Sequence, residues 1–265
     1  MSSDQGGLHR RHTDARNSDN GPCLLKCIIF GGPTMERISV GKLSSAVDNA
    51  AGGSPAYETV VAFTHELGAA VTLARWERAD CCDSIVENGG IGWVLSGIVH
   101  KSIILESGQR RIVDLMMRGD FFSLQRNDRR AFSFEISTDE AVTARISYRD
   151  FVSLAVSQPE LYQFAHDQTG ETISRLENHI LVQGRTRSAQ KIASYLSILC
   201  ARLSEEHGTA VELPMSRYDI ADHVGIAVET VSRAITDLRR RGVIELETPR
   251  SLAICRTQKL LKDLT

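Results

Sequence analysis

No run of apolar residues in this chain approaches the roughly 18 that a bilayer-spanning helix needs. Nor does a signal peptide open it, because Arg10, Arg11, Asp14 and Arg16 stand where the apolar core of one would lie. These two absences predict a cytoplasmic protein with no membrane partner. A strong charge of either sign is missing too, since 31 Lys and Arg against 33 Asp and Glu leave a formal net charge of -2. Any nucleic-acid footprint must therefore be local, carried by Arg217, Arg233, Arg239, Arg240, Arg241, Arg250 and Arg256. The six cysteines fall at irregular spacings that form no disulfide framework, and they read as free thiols. Nucleophile–base spacings, Gly-rich phosphate loops and metal-binding pairs are absent as well, so no residue takes a catalytic role. What is present is ordinary for a soluble globular chain, with 42% hydrophobic and 6% aromatic residues. A length of 265 residues suits two modest domains.

The most informative stretch runs from Met215 to Glu245. Ser216 followed three residues later by Asp219 is a capping-box pattern that starts a helix. Ile220, Ala221 and Val224 form the buried stripe of that helix, and Gly225 supplies the turn that ends it. A second helix buries Val228, Val231, Ile235 and Leu238 at helical spacing. Glu229, Thr230, Ser232 and Arg233 are left facing outward near its N-terminal end, and Arg239, Arg240 and Arg241 trail behind. In a helix-turn-helix those outward positions reach base edges in the major groove. Arg can bond guanine bidentately, Glu can accept from cytosine, and Ser or Thr can serve a base or a phosphate. Arg217, at the start of the first helix, is placed for a phosphate, and Arg239 joins the basic set. A solvated helix face of mixed charge is the bland alternative; the cap, the glycine turn, the outward polar set and the arginine run together favour double-stranded DNA as partner.

The string IADHVGIAVETVSRAITDLRRRGVI resembles the DNA-binding helices of the CRP/FNR superfamily of bacterial transcription regulators. The Glu229-Thr230-Val231-Ser232-Arg233 segment is similar to the FNR and FixK branch, and weaker likeness extends back to about Val71. The resemblance implies an α+β chain with an N-terminal β-roll sensor domain (cyclic-nucleotide-binding-like, jelly roll), a long dimerisation helix and a C-terminal winged helix-turn-helix. It also implies a homodimer on an inverted-repeat element, with RNA polymerase as a further partner. In that branch the Glu, Ser and Arg of E-x-x-S-R read a TTGAT-like half-site, which transfers to Glu229, Ser232 and Arg233.

Taken in order, residues 1–34 are rich in Gly, Ser, Asp, Asn and Arg and read as a disordered tail. Met35 is an alternative start. Residues 35–148 read as a helical segment followed by the roll: VTLARW, IGWVLSGIVHKSIIL and RRIVDLMMRGDFFSL alternate apolar and polar residues, and Ala131–Ile136 and Ala141–Ile146 add two strands. Trp93 to Gly97 and Met117 to Phe122 resemble two strand-and-turn signatures of the family's roll. Residues 149–204 read as the dimerisation helix. From Pro159 to Ser204 an apolar stripe of Leu161, Phe164, Ile173, Leu176, Ile180, Ile192, Leu196 and Leu199 is interrupted at Gly184, and a second copy would cover it. Residues 205–265 hold the helix-turn-helix, with VIELE and SLAIC as the strands of a wing.

For an effector the sequence offers little. The family's cyclic-nucleotide members use a G-E-L turn and an Arg-Ser pair; here the turn after Phe122 reads Ser-Leu-Gln, and Ala131-Phe132 stand near the second position with Arg130 beside them. A buried phosphate needs an arginine partner, so the cassette reads as absent, and Arg126, Arg129 and Arg130 read as a solvated loop. Cys23 and Cys27 lack the further ligands of a cluster or zinc site. They and the vicinal Cys81 and Cys82 are redox candidates, whereas Cys200 and Cys255 read as small apolar residues. His65, His100, His166, His179, His207 and His223 show no heme-ligating spacing. No cofactor is expected. The preferred reading is a FixK-like activator of micro-oxic or nitrogen-fixation genes working without cyclic nucleotide. The alternatives are a regulator sensing heme-bound gas, thiol redox state or a nucleotide, and a sensing module whose winged helix contacts protein.

Overall fold

The computed structural model describes residues 71–78, 89–124, 132–207 and 215–244. Seven strands come first: β1 (Val71–Glu77), β2 (Gly90–Ser96), β3 (Val99–Ile104), β4 (Arg110–Met116), β5 (Phe121–Leu124), β6 (Phe132–Ile136) and β7 (Glu140–Ile146). They form two antiparallel sheets, ordered β1-β7-β2-β5 and β4-β3-β6. This is the double-sheet roll that the alternation predicts; of the strand predicted over Ala131–Ile136, Ala131 lies outside the described residues. Between the sheets lie Trp76, Val94, Val99, Met116, Phe122, Phe134 and Ile136. The Trp76 indole donates to the Thr143 hydroxyl at 2.8 Å, so the large buried ring leaves no stranded donor.

β2 reads GIGWVLS, an almost continuous apolar run, because both of its faces are covered. Its outer face meets helix α1 (Tyr148–Ser157) and the start of helix α2 (Pro159–Gln183). Leu73, Ile91, Trp93, Leu95 and Phe121 pack there with Phe151 and Leu161. Trp93 stacks on Phe121 with ring centroids 5.8 Å apart, and Phe164 of α2 meets Phe121 edge-on at 6.0 Å. At the tight turn after β2, Gly97 has φ +77, and an added Cβ would lie 2.4 Å from the Glu140 carbonyl oxygen. Only glycine fits there.

Pro159 opens α2, a position where its missing N–H costs nothing. The helical stretch predicted as one dimerisation element across 149–204 is divided. α1 stops at Ser157, α2 ends at Gly184, and helix α3 (Ser188–His207) begins after a break. The apolar stripe divides with it. Ile173 and Ile180 on α2 are exposed at 52% and 65%, whereas Ile192, Leu196 and Leu199 on α3 are fully buried in the C-terminal core. That core also holds Ile220, Val224, Val231, Ile235 and Leu238 of helices α4 (Arg217–Val224) and α5 (Val228–Arg240), with Val243 and Ile244 beyond them. Ile98, Ile112, Leu115 and Met117 of the roll belong to the same cluster, so sensor and C-terminal unit share apolar contact. Cys200 is buried in it, and burial pushes its thiol up to about 12, which leaves it unreactive at neutral pH.

The predicted tail, the helical segment before Val71, Cys23, Cys27, Cys81, Cys82, Cys255, Arg126, Arg129 and Arg130 lie outside the described residues. The wing strands after Ile244 do so too. No helix among the described residues is long and apolar enough to cross a membrane.

Candidate nucleic-acid interface

The helix pair forms for local reasons. The Ser216 hydroxyl accepts from the Asp219 backbone N–H at 3.1 Å, and the Asp219 carboxylate accepts from the Ser216 backbone N–H at 3.2 Å, which completes the capping box. Gly225 ends α4 in the left-handed region at φ 73, and its N–H donates to the Ala221 carbonyl at 2.8 Å. α5 then starts at Val228, with Glu229 in its first turn and Arg239 and Arg240 in its last, each sign matched to the helix dipole.

α5 buries Val231, Ile235 and Leu238 and turns the opposite side outward. Glu229 and Arg233 are exposed, four residues apart on one face, while Thr230 and Ser232 are half-buried at its edges. The Arg233 guanidinium donates to the Thr230 hydroxyl at 3.4 Å. Arg217 reaches across from α4, with Nη1 3.4 Å from the Ser232 hydroxyl oxygen. The predicted set of Arg217, Glu229, Thr230, Ser232 and Arg233 is thus brought together on one side of the pair. Arg239 is exposed at the far end of α5, beside Arg240 and Arg241, and Arg241 lies 3.8 Å from Asp237. Among the described residues of α5 this side presents a carboxylate, hydroxyls and guanidinium groups and no exposed large apolar side chain; on α4, Tyr218 is 70% exposed.

Sequence reasoning missed the polar groups that hold this pair to the rest of the chain. His179 of α2 and His223 of α4 meet with Nδ1 and Nε2 2.8 Å apart. Gln183 donates to the His223 carbonyl at 2.5 Å and lies 3.3 Å from His179 Nε2. Gln183 can only donate through that nitrogen, so His179 carries its proton on Nδ1 and gives that bond to His223. Burial holds both rings below the usual histidine range, His223 well below it. On the roll, Arg110 contacts Asp219 and Asp222 of α4. Arg175 of α2 forks onto Asp114 at 2.7 and 3.0 Å and reaches Asp120 at 3.0 Å, and Arg202 of α3 pairs with Asp120 as well. These partners lie tens of residues apart, and no local spacing announces them.

A cavity of about 820 Å³ opens between the roll and α2, lined by Ile103, Met116, Phe122, Phe134, Thr172 and Leu176 among others. Phe132, near the family's Arg-Ser position, stands in its wall with the Lys101 ammonium 3.9 Å from the ring centroid. Among the described residues no group of three or more His, Cys, Asp or Glu is arranged to hold a metal ion.

Comparison with known proteins agrees with this geometry. The family description "Crp-like helix-turn-helix domain" matches residues 190–262, which contain α4, α5 and most of α3. The nitrogen fixation regulation protein FixK of Azorhizobium caulinodans is 31% identical over 191 residues, covering 71% of this chain and 76% of that protein. FixK of Rhizobium meliloti is 32% identical over 173 residues, covering 63% and 74%. The solved structure of FixK2 from Bradyrhizobium japonicum superposes with a TM-score of 0.64 at 23% identity, covering 72% of this chain and 96% of that one. The chain belongs to the CRP/FNR superfamily of DNA-binding transcription regulators, on its FixK-like branch.

Proposed function

We propose that the protein is a homodimeric activator that binds an inverted-repeat element with TTGAT-like half-sites and recruits RNA polymerase in the cytoplasm. The observation that carries this is the outward face of α5, where Glu229 and Arg233 stand exposed with Ser232 and Arg217 beside them. Arg233 reads a guanine edge, Glu229 a cytosine edge, Ser232 and Thr230 a base or phosphate, and Arg217 and Arg239 phosphates. A helix that docked protein would present apolar anchors instead of this charged set. The dimer is supported by α2, whose Ile173, Ile180 and Leu181 are 52%, 65% and 67% exposed on a helix of 25 residues. The names of the FixK relatives bring nitrogen-fixation genes forward as targets, and the resemblance to the FNR and FixK branch adds micro-oxic ones. Phe132 in the cavity wall supports action without cyclic nucleotide.

The apolar cavity favours a second reading, in which a small effector seated under α2 tunes DNA binding. His179 lines that cavity, yet both of its ring nitrogens are already engaged, which disfavours it as a heme ligand. A thiol-based response would fall to Cys23, Cys27, Cys81 or Cys82. The test is competition binding of the full-length protein to a TTGAT palindrome and to a base-substituted one, with sedimentation on the same sample. Selective binding by a dimer supports the proposal, and equal affinity for both duplexes overturns it.

A further inference from the structure

Apart from the His179–His223 contact, three polar attachments fasten the α4–α5 pair and α3 behind it to the body of the chain. Gln183, in the last turn of α2, donates to the His223 carbonyl and sits where a Cβ on Gly225 would meet it at 2.9 Å. Arg202 of α3 donates to the Leu115 carbonyl at 3.1 Å and pairs with Asp120 after β4. These two hold the C-terminal end of α4 and the helix behind it. The third attachment reaches α4 from the roll, at Asp219 in its first turn and at Asp222 beside His223. Arg110, the first residue of β4, places Nη1 3.1 Å from Asp219 Oδ1 and 2.9 Å from Asp222 Oδ2. Its Nη2 lies 2.9 Å from Glu135 Oε2 on β6, and its Nε 3.4 Å from Glu135 Oε1. One guanidinium therefore spans from a carboxylate of the roll to two carboxylates of the first DNA-binding helix. Asp219 is also the capping residue, two positions from Arg217.

We propose that Arg110 is a positioning residue for operator binding: from the sensor roll it fixes the angle at which each α4–α5 pair is presented, and so sets the half-site spacing the dimer accepts. The inference rests on the dimeric, inverted-repeat reading above. α4 has only 8 residues; α2 holds it at His223 near its C-terminal end, and the contact at Asp219 in its first turn comes from the roll. The α2 attachment alone would leave it free to pivot about His223 and Gln183. The apolar contact from Ile112, Leu115 and Met117 opposes separation, but it is non-directional and resists rotation poorly. Arg110 is anchored directionally on the roll by Nε and Nη2, which fork onto Glu135, and its Nη1 reaches both Asp219 and Asp222 of α4, which supplies the missing restraint. Burial works against the charge on Arg110, and Glu135, Asp219 and Asp222 outweigh it, so the guanidinium stays charged. A dimer with rigidly presented reading helices loses affinity steeply when its half-sites are moved, whereas a loose one tolerates the change and binds the best spacing less tightly.

The experiment measures binding of full-length protein to palindromes whose half-sites are moved apart or together by one and two base pairs, and to a duplex with a single half-site. Wild type is expected to lose about tenfold or more on a one-base-pair change. Arg110→Ala should bind the best spacing about tenfold more weakly and vary by no more than about threefold across the series, with single-half-site affinity unchanged. Asp222→Asn should shift the profile in the same direction, and the double variant should be no worse than Arg110→Ala. If Arg110→Ala lowers binding to every duplex by one factor and keeps the spacing optimum, Arg110 is merely structural and the proposal falls. An unaltered profile overturns it as well. A wild-type protein that binds the palindrome no better than the single half-site overturns the dimeric reading and this inference with it, whereas one that prefers the palindrome but is indifferent to spacing overturns this inference alone.

Discussion

Arg217 and Ser232 join the two helices of the reading unit: the arginine Nη1 lies 3.4 Å from the serine hydroxyl oxygen, 15 residues further along. The guanidinium is thereby held at the edge of the face that carries Glu229 and Arg233, with donors to spare for a phosphate. Arg217→Ala is expected to weaken binding to matched and unmatched duplexes by the same factor and to flatten the dependence of log K on log salt by about one unit. Titrations at two salt concentrations measure both. A loss confined to the matched duplex would place Arg217 among the base readers instead.

Gly225 carries a second prediction. Its φ of +73 suits glycine, and a Cβ would lie 2.9 Å from the Gln183 amide oxygen. Gly225→Ala should therefore destabilise the fold by about 1–2 kcal/mol through the left-handed backbone alone, with the crowding of Gln183 added. Urea unfolding reads the total. Pairing the change with Gln183→Ala should recover the crowding part and leave the backbone part.

The buried histidines set a pH dependence. Burial holds His179 below, and His223 well below, the ordinary value of 6.5. The unfolded chain takes up protons on these rings near that pH while the folded chain leaves them neutral. Stability is thus full above about 6.5 and falls as the pH drops below it. Glu135 acts in a lower window: burial opposes its ionisation, but His100, Arg110 and Ser102 outweigh burial and bring its carboxyl down from 4.5 to about 2. Its contribution is intact above about 4.5 and is lost as the pH falls toward 2. Unfolding midpoints should decline between about pH 7 and 5 in the native chain and decline less in His223→Phe. Equal slopes in the two proteins would remove His223 as the source.

The parts of this molecule that were legible in the sequence are those specified by near neighbours. Ser216 and Asp219 lie three residues apart, Gly225 closes the same helix, and both are found where the pattern places them. The strands follow from alternation and from glycine turns. The stripe from Leu161 to Leu199 misleads because helical period says that a face is apolar but not what covers it. Its α3 half packs inside its own chain, Leu161 and Phe164 at the start of α2 pack against the roll, and only Ile173, Leu176 and Ile180 are exposed. Arg110 with Asp222, and His179 with His223, were invisible for a different reason. They are 112 and 44 residues apart, and they meet only because α4 packs on the roll in the first case and on α2 in the second.

The exposed half of that stripe yields a prediction for assembly. Ile180 is 65% exposed and lies one heptad beyond Ile173 on α2. A charge there should disrupt a helix-to-helix seam without disturbing the buried core of the chain. Ile180→Glu is expected to sediment as a monomer at micromolar concentration and to bind the palindrome no better than a single half-site. An intact dimer in this variant would move the interface off α2.

Arg233 gives the most specific outcome. It is exposed on α5, four residues after Glu229, and its guanidinium is held by the Thr230 hydroxyl at 3.4 Å, a weak contact that a base edge can replace. A bidentate bond to guanine is worth about 1–3 kcal/mol of discrimination against other bases at that position. Arg233→Ala should therefore bind a TTGAT palindrome and its guanine-substituted counterpart with nearly equal affinity, while keeping the salt dependence of a protein that has lost no more than one charge contact. Glu229→Ala should relax preference at a different base pair, the one whose cytosine it accepts from, and leave the guanine position discriminated. Competition binding with each substituted duplex distinguishes the two variants. If Arg233→Ala still rejects the guanine-substituted site as strongly as wild type, the reading of that base belongs to another residue, and the orientation assigned to α5 in the groove is wrong.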